Sequence, residues 1–130
     1  MEEIIRAITN DVNWLKVNYS MQAVSEIMNV KDRIAINTFY LSEEMASAYH
    51  SKNMAEYAYK SSVNELQSSF NGPVSKAKIE AEIASKSLKL DYIEKDRIYK
   101  RLALIMEQTN AILNEMRQRI SYLKTEKNGY

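Results

Sequence analysis

Cations and tyrosines alternate along KSLKLDYIEKDRIYKR, residues 86–101. Lys86, Lys89, Lys95, Arg97, Lys100 and Arg101 stand there with Tyr92 and Tyr99. Cations neutralise phosphates, and tyrosine rings stack on the exposed bases of a single strand, so this mixture is the chemistry of single-stranded nucleic-acid binding. A plainer reading uses the same residues. Asp91, Glu94 and Asp96 lie within helical pairing distance of those cations, and tyrosines at helical spacing serve as half-buried packing residues. The closing run ILNEMRQRISYLKTE, residues 112–126, adds Arg117, Arg119 and Lys124 with Tyr122, and only Glu115 and Glu126 are close enough to offset them. Ile112, Met116, Ile120 and Leu123 hold a helical apolar stripe beneath those charges, which positions them for a partner or a neighbouring subunit.

Catalytic groupings are missing from the pattern. His50 is the one histidine, and a lone histidine in SAYHSKN reads as a solvated helix residue. Metal sites in helical bundles use several glutamates and Glu-x-x-His pairs. No such pair occurs, and Glu43, Glu44, Glu80 and Glu82 read as exposed charges. Two glycines do not make a phosphate-binding loop. Without cysteine there is no disulfide, thiolate zinc site or cysteine nucleophile. We therefore expect no enzyme activity, no metal, no cofactor and no small-molecule substrate.

The elements that must carry these residues are helices. With 45% apolar and 27% charged residues, the 130-residue chain has the composition of one folded domain. Its two glycines and one proline are too few for the tight turns of a β-rich fold. The expected class is all-α: a long antiparallel helical hairpin with an N-terminal amphipathic helix, assembling as a bundle or ring. The strongest punctuation is SSFNGPVSK at residues 68–76. There Asn71-Gly72 would supply left-handed conformations at a helix end, and Pro73 suits the first turn of the next helix. Residues 1–17 are predicted as the N-terminal helix, 20–70 as the first arm and 73–127 as the second, all within a single domain.

In the N-terminal helix Ile4, Ile5, Ile8, Val12 and Leu15 share a face, and VNYS breaks it, with Ser20 as a cap for a segment bearing Met21, Val24, Ile27 and Met28. The first arm carries Ile34, Leu41, Met45, Ala48, Ala55, Tyr59, Val63, Leu66 and Phe70. The second runs without a break, about 75 Å if continuous. Its stripe comprises Val74, Ala77, Ala81, Ala84 and Leu88, then Ile98, Leu102, Ile105, Ile112, Met116 and Leu123. Small residues near the joint (Ala55 and Ala58 against Ala77, Ala81 and Ala84) should let the backbones approach. Asp91, Lys95, Thr109 and Arg119 fall at apolar positions, where polar residues fix register and oligomer number at a cost in packing; over DYIEKDRIYKR, residues 91–101, the favoured account is instead that the stripe turns onto Tyr92, Ile93 and Tyr99. Two such arms expose more apolar surface than a monomer tolerates, so a homo-oligomer is expected through Ile98, Leu102, Ile105, Ile112, Met116, Ile120 and Leu123. The net charge of +1 conceals an asymmetry: residues 1–73 hold 6 basic and 9 acidic residues, and residues 74–130 hold 12 and 8. The acidic start MEEIIRAITND is unlike a secretory signal, and no apolar run approaches the ~20 residues of a spanning helix, so a cytoplasmic protein away from membranes is expected.

The hairpin with the arm YKRLALIMEQTNAILNEMRQRISYLKTE, ending in RQRISYLKTE, resembles small helical tailed-phage early-region proteins. In layout, over roughly Ala55 to Glu126, it is similar to the recombination-mediator (UvsY-like) family. That resemblance implies a ring that binds single-stranded DNA and helps load a recombinase in the host cytoplasm. The implied DNA contacts are Lys86, Lys89, Lys95, Arg97, Lys100, Arg101, Arg117, Arg119 and Lys124. Two further readings of the sequence compete with it. One is an inhibitor that occupies the surface of a host or defence protein, for which Met21, Met28, Met45 and Met54 would supply adaptable packing. The other is a structural coiled-coil subunit.

Overall fold

Nothing between Pro73 and the far end of the chain opposes helix formation, and the chain is helical almost throughout. The structure is a computed structural model; it describes residues 1–18 and 24–129, with side chains through Thr125. Among the described residues there are four helices and no strand: α1 (Glu2–Asn18), α2 (Val24–Ser68), α3 (Val74–Ala84) and α4 (Lys86–Gly129). The protein is all-α. The expected cap at Ser20 and the contribution of Met21 lie outside the described residues.

The ends of α1 follow helix electrostatics. Glu2 and Glu3 occupy its first turn and Lys16 its last, each complementing the partial charge of that terminus. The turn after α2 departs from expectation. No residue at 70–73 has positive φ, so Asn71 and Gly72 are not left-handed. Gly72 instead leaves room for the Phe70 ring: a Cβ there would come within 2.7 Å of its Cε1 atom. Pro73 caps α3 from outside, at φ −57° and ψ 133°, and α3 starts at Val74. The second arm is interrupted where a continuous helix was expected. At Ser85 the N–H is shared between the carbonyls of Ala81 (3.0 Å) and Glu82 (3.2 Å).

Contacts within the chain group into two compact units, Met1–Glu44 with Leu102–Tyr130, and Met45–Arg101. The first unit packs α1 against the start of α2 and the later part of α4. Its core joins Leu15 of α1 to Ile27, Val30 and Ile34 of α2 and to Leu113, Met116 and Ile120 of α4. The apolar face expected on α1 is present: Ile8 and Leu15 are buried, and Ile4, Ile5 and Val12 half-buried. Met28 packs against the core. Two buried threonines satisfy their own hydroxyls, Thr38 to the Ile34 carbonyl at 2.7 Å and Thr109 to the Ile105 carbonyl at 2.7 Å. Thr109 is therefore a core residue and does not interrupt the stripe. Arg33 clasps Asp11 through two nitrogens at 3.0 and 3.4 Å, tying α2 to α1.

The second unit, Met45–Arg101, has a core of small residues. Ala55, Ala77, Ala81 and Ser85 are buried. Ala58 and Ala84, expected beside them, are exposed because each lies one position off the inward stripe. The Ser62 and Ser85 hydroxyls bond to each other at 2.8 Å. Tyr49 and Tyr99 pack ring to ring at 5.3 Å, and the Lys52 ammonium sits 5.1 and 4.9 Å from their centres.

Candidate functional site

The cations of residues 86–101 fall into two groups. Helical spacing brings acids to the central ones: Lys95 bonds Asp91 at 2.7 Å, Arg97 bonds Glu94 at 2.6 Å and Lys100 bonds Asp96 at 2.8 Å. The Arg97 hydrogen bonds hold the Glu94 carboxyl below the ordinary range, and Glu94 in turn raises Arg97. The Asp96 hydrogen bond likewise raises Lys100. Those three charges are answered within their own helix. Arg101 and Arg119 also have interaction partners within the chain. Lys86 and Lys89 are exposed, and neither is in an ion pair among the described residues.

The tyrosines of this stretch are structural. Tyr99 packs on Tyr49, and both Tyr92 and Tyr99 are half-buried. Tyr92 also helps the Lys60 ion pair hold the Glu56 carboxyl below its usual range. Lys95 is half-buried on the inward side. The stripe does turn onto Tyr92 and Tyr99 here, but Ile93 does not join them.

Ile93 belongs to a face that sequence reasoning missed. Ile79, Ile83, Leu90 and Ile93 are 51–63% exposed. With Lys86 they follow one another at intervals of four, three, four and three residues, the spacing of a coiled-coil seam. Glu82 and Lys89 flank them, and together these residues line a groove of about 500 Å³. The signal was in the sequence, but the inward stripe (Ala77, Ala81, Ser85, Leu88, Tyr92) is likewise built from intervals of three and four residues. One helix thus carries two seams, and periodicity alone does not say which faces inward.

The proposed subunit-interface residues are used inside the chain. Leu102, Met116 and Ile120 are buried in the first unit, and Ile98, Ile105, Ile112 and Leu123 are half-buried. Within the first unit, Met116 and Ile120 belong to the core that α4 shares with α1 and α2, and Ile112 and Leu123 pack against it. On the outer side of α4, Arg117 bonds the Asn114 side chain at 3.1 Å, and Tyr122 and Lys124 are exposed. A smaller open groove of about 230 Å³ lies between α1 and α4, with Val12, Leu15, Ile112 and Met116 in its wall and Lys16 and Glu115 beside them. His50 is exposed on α2. Among the described residues, no helix is long and apolar enough to cross a membrane. Comparison of the chain with protein families, with curated proteins and with solved structures found no match.

Proposed function

We propose that this protein works without catalysis, as a helix-docking module whose working surface is the face formed by Ile79, Ile83, Lys86, Leu90 and Ile93. The observation that carries this reading is the seam spacing of four apolar residues left open to solvent. An apolar stripe of that regularity is stabilised when a second helix covers it. We read α2 and the α3–α4 pair as antiparallel arms that present this face. Two contacts support that reading: Ser62 meets Ser85 and Tyr49 meets Tyr99, so position falls along one arm as it rises along the other. Docking of this kind would serve an inhibitor of another protein or a subunit of an assembly equally well. The test is a photo-crosslinking side chain placed at position 83 in the expressed protein, with position 64 as an exposed control. Protein adducts at 83 and not at 64 are expected. Absence of adducts at 83 removes the reading.

A second reading, binding of single-stranded DNA as a recombination accessory protein in the host cytoplasm, is favoured by exposed cations that are in no ion pair among the described residues: Lys86, Lys89 and, further along α4, Lys124. It predicts salt-sensitive binding of a labelled oligonucleotide that Lys86→Glu with Lys89→Glu abolishes. Arg97→Gln should leave that binding nearly unchanged, because Arg97 is already paired. Binding indifferent to salt, or equal loss from all three substitutions, counts against it.

A further inference from the structure

Resting on the docking reading, we infer that the occupant of the Ile79–Lys86 part of this face is α2 of a second copy of this chain, presenting Ile36, Tyr40 and Glu43. In the first unit Ile36, Phe39, Tyr40 and Glu43 share one face of α2. Ile34, Thr38 and Leu41 on the opposite face are buried, so this one is turned away from the core. Its three apolar members are 50–62% exposed, and the Phe39 and Tyr40 rings meet edge-on at 5.9 Å.

Spacing and charge make the two faces complementary. Ile36, Tyr40 and Glu43 are separated by four and then three residues, as are Ile79, Ile83 and Lys86. Laid side by side in parallel, Ile36 covers Ile79, Tyr40 covers Ile83 and Glu43 meets Lys86. Neither Glu43 nor Lys86 is in an ion pair among the described residues, so each is available to the other. The competing arrangement, this face against its own copy in parallel, would set Lys86 against Lys86 and repel. Because the two faces differ, the contact is heterologous: each copy offers one face of each kind, and repeated addition closes a ring or continues as a filament.

The native chain has no cysteine, which permits a direct test on the full-length protein. Tyr40→Cys and Ile83→Cys are prepared separately, one carrying a mass tag, then mixed and mildly oxidised. A disulfide joining position 40 of one copy to position 83 of the other is expected. A product joining 83 to 83 in its place overturns the inference. In sedimentation, Glu43→Lys and Lys86→Glu should each weaken self-association roughly tenfold through the like-charge contact they create. Mixing the reversals within one chain should restore most of it, and a doubly reversed chain no stronger than the single variants overturns the pairing. All four positions are exposed, and unchanged helicity and thermal midpoint confirm folding. A wild-type chain that stays monomeric while position 83 crosslinks to some other protein sinks the second-copy occupant and leaves the docking reading standing. A monomer with no adduct at position 83 sinks both.

Discussion

Ser85 shows what a single small side chain does in this protein. Placed on the inward stripe between Ala81 and Leu88, it is 1% exposed, and its hydroxyl is satisfied by Ser62 at 2.8 Å. A buried hydroxyl that loses its partner is left with its desolvation cost uncompensated, whereas removing both partners together is nearly neutral. Ser62→Ala should therefore cost about 1 kcal/mol in urea denaturation, and Ser62→Ala with Ser85→Ala should cost less than the sum of the two single changes. Full additivity would mean that the two hydroxyls do not depend on each other. Glu56 gives a pH-dependent counterpart. Its carboxyl is held below the ordinary range first by the Lys60 hydrogen bond, so the folded state favours its ionised form. That contribution is fully present above the ordinary carboxylate range and is lost as pH falls through the lowered value. The thermal midpoint of Glu56→Gln should fall below wild type at neutral pH, and the two should converge near about pH 2. A gap that persists in acid would place the effect elsewhere.

Among the helices, α3 and α4 carry one buried face and one exposed apolar face. The inward residues Leu102 and Met116 are almost completely buried, and truncating either leaves a cavity. Leu102→Ala should cost about 2–5 kcal/mol in chemical denaturation. Ile83→Ala, on the open face, should change the stability of the isolated chain by only about 0.5 kcal/mol. Similar losses from both would mean that the open face is a second core. The charged residues of α4 divide in the same way. Lys95, Arg97 and Lys100 are drawn to acids three or four residues away, and exposed pairs of this kind contribute little to stability. Within residues 86–101, Lys86 and Lys89 are the exposed lysines left without an ion pair among the described residues.

For the chain as a whole, the acidic first part and basic second part suit an assembly in which unlike faces meet. Self-association should weaken when ionic strength rises from about 50 mM to about 500 mM, because a Glu43–Lys86 contact at a surface is screened over that range. It should not vanish, since Ile36, Tyr40, Ile79 and Ile83 would still be covered. Sedimentation at the two salt concentrations checks this, and complete dissociation in salt would make the contact purely electrostatic.

Much of this architecture was legible before any coordinates. Scarcity of glycine and proline, the break at residues 68–76 and the three-four spacing of apolar residues required helices, because a helix is a local structure and its signals lie within a few residues of one another. The face of α1 around Ile8 and Leu15 and the stripe through Ile34, Leu41 and Ala55 were read correctly for that reason. Which of two helically spaced stripes on α3 and α4 turns inward was not legible. Ile93 and Tyr92 are neighbours, and it is the less apolar Tyr92 that is half-buried while Ile93 is exposed, because their fates depend on what α2 brings opposite them. Leu102, Met116 and Ile120 were likewise legible as apolar contacts, and it took the structure to show that they are covered within the chain, because a sequence records that a side chain needs cover and not which helix provides it. Only the packing of distant segments settles that, since burial is a property of the space around a residue.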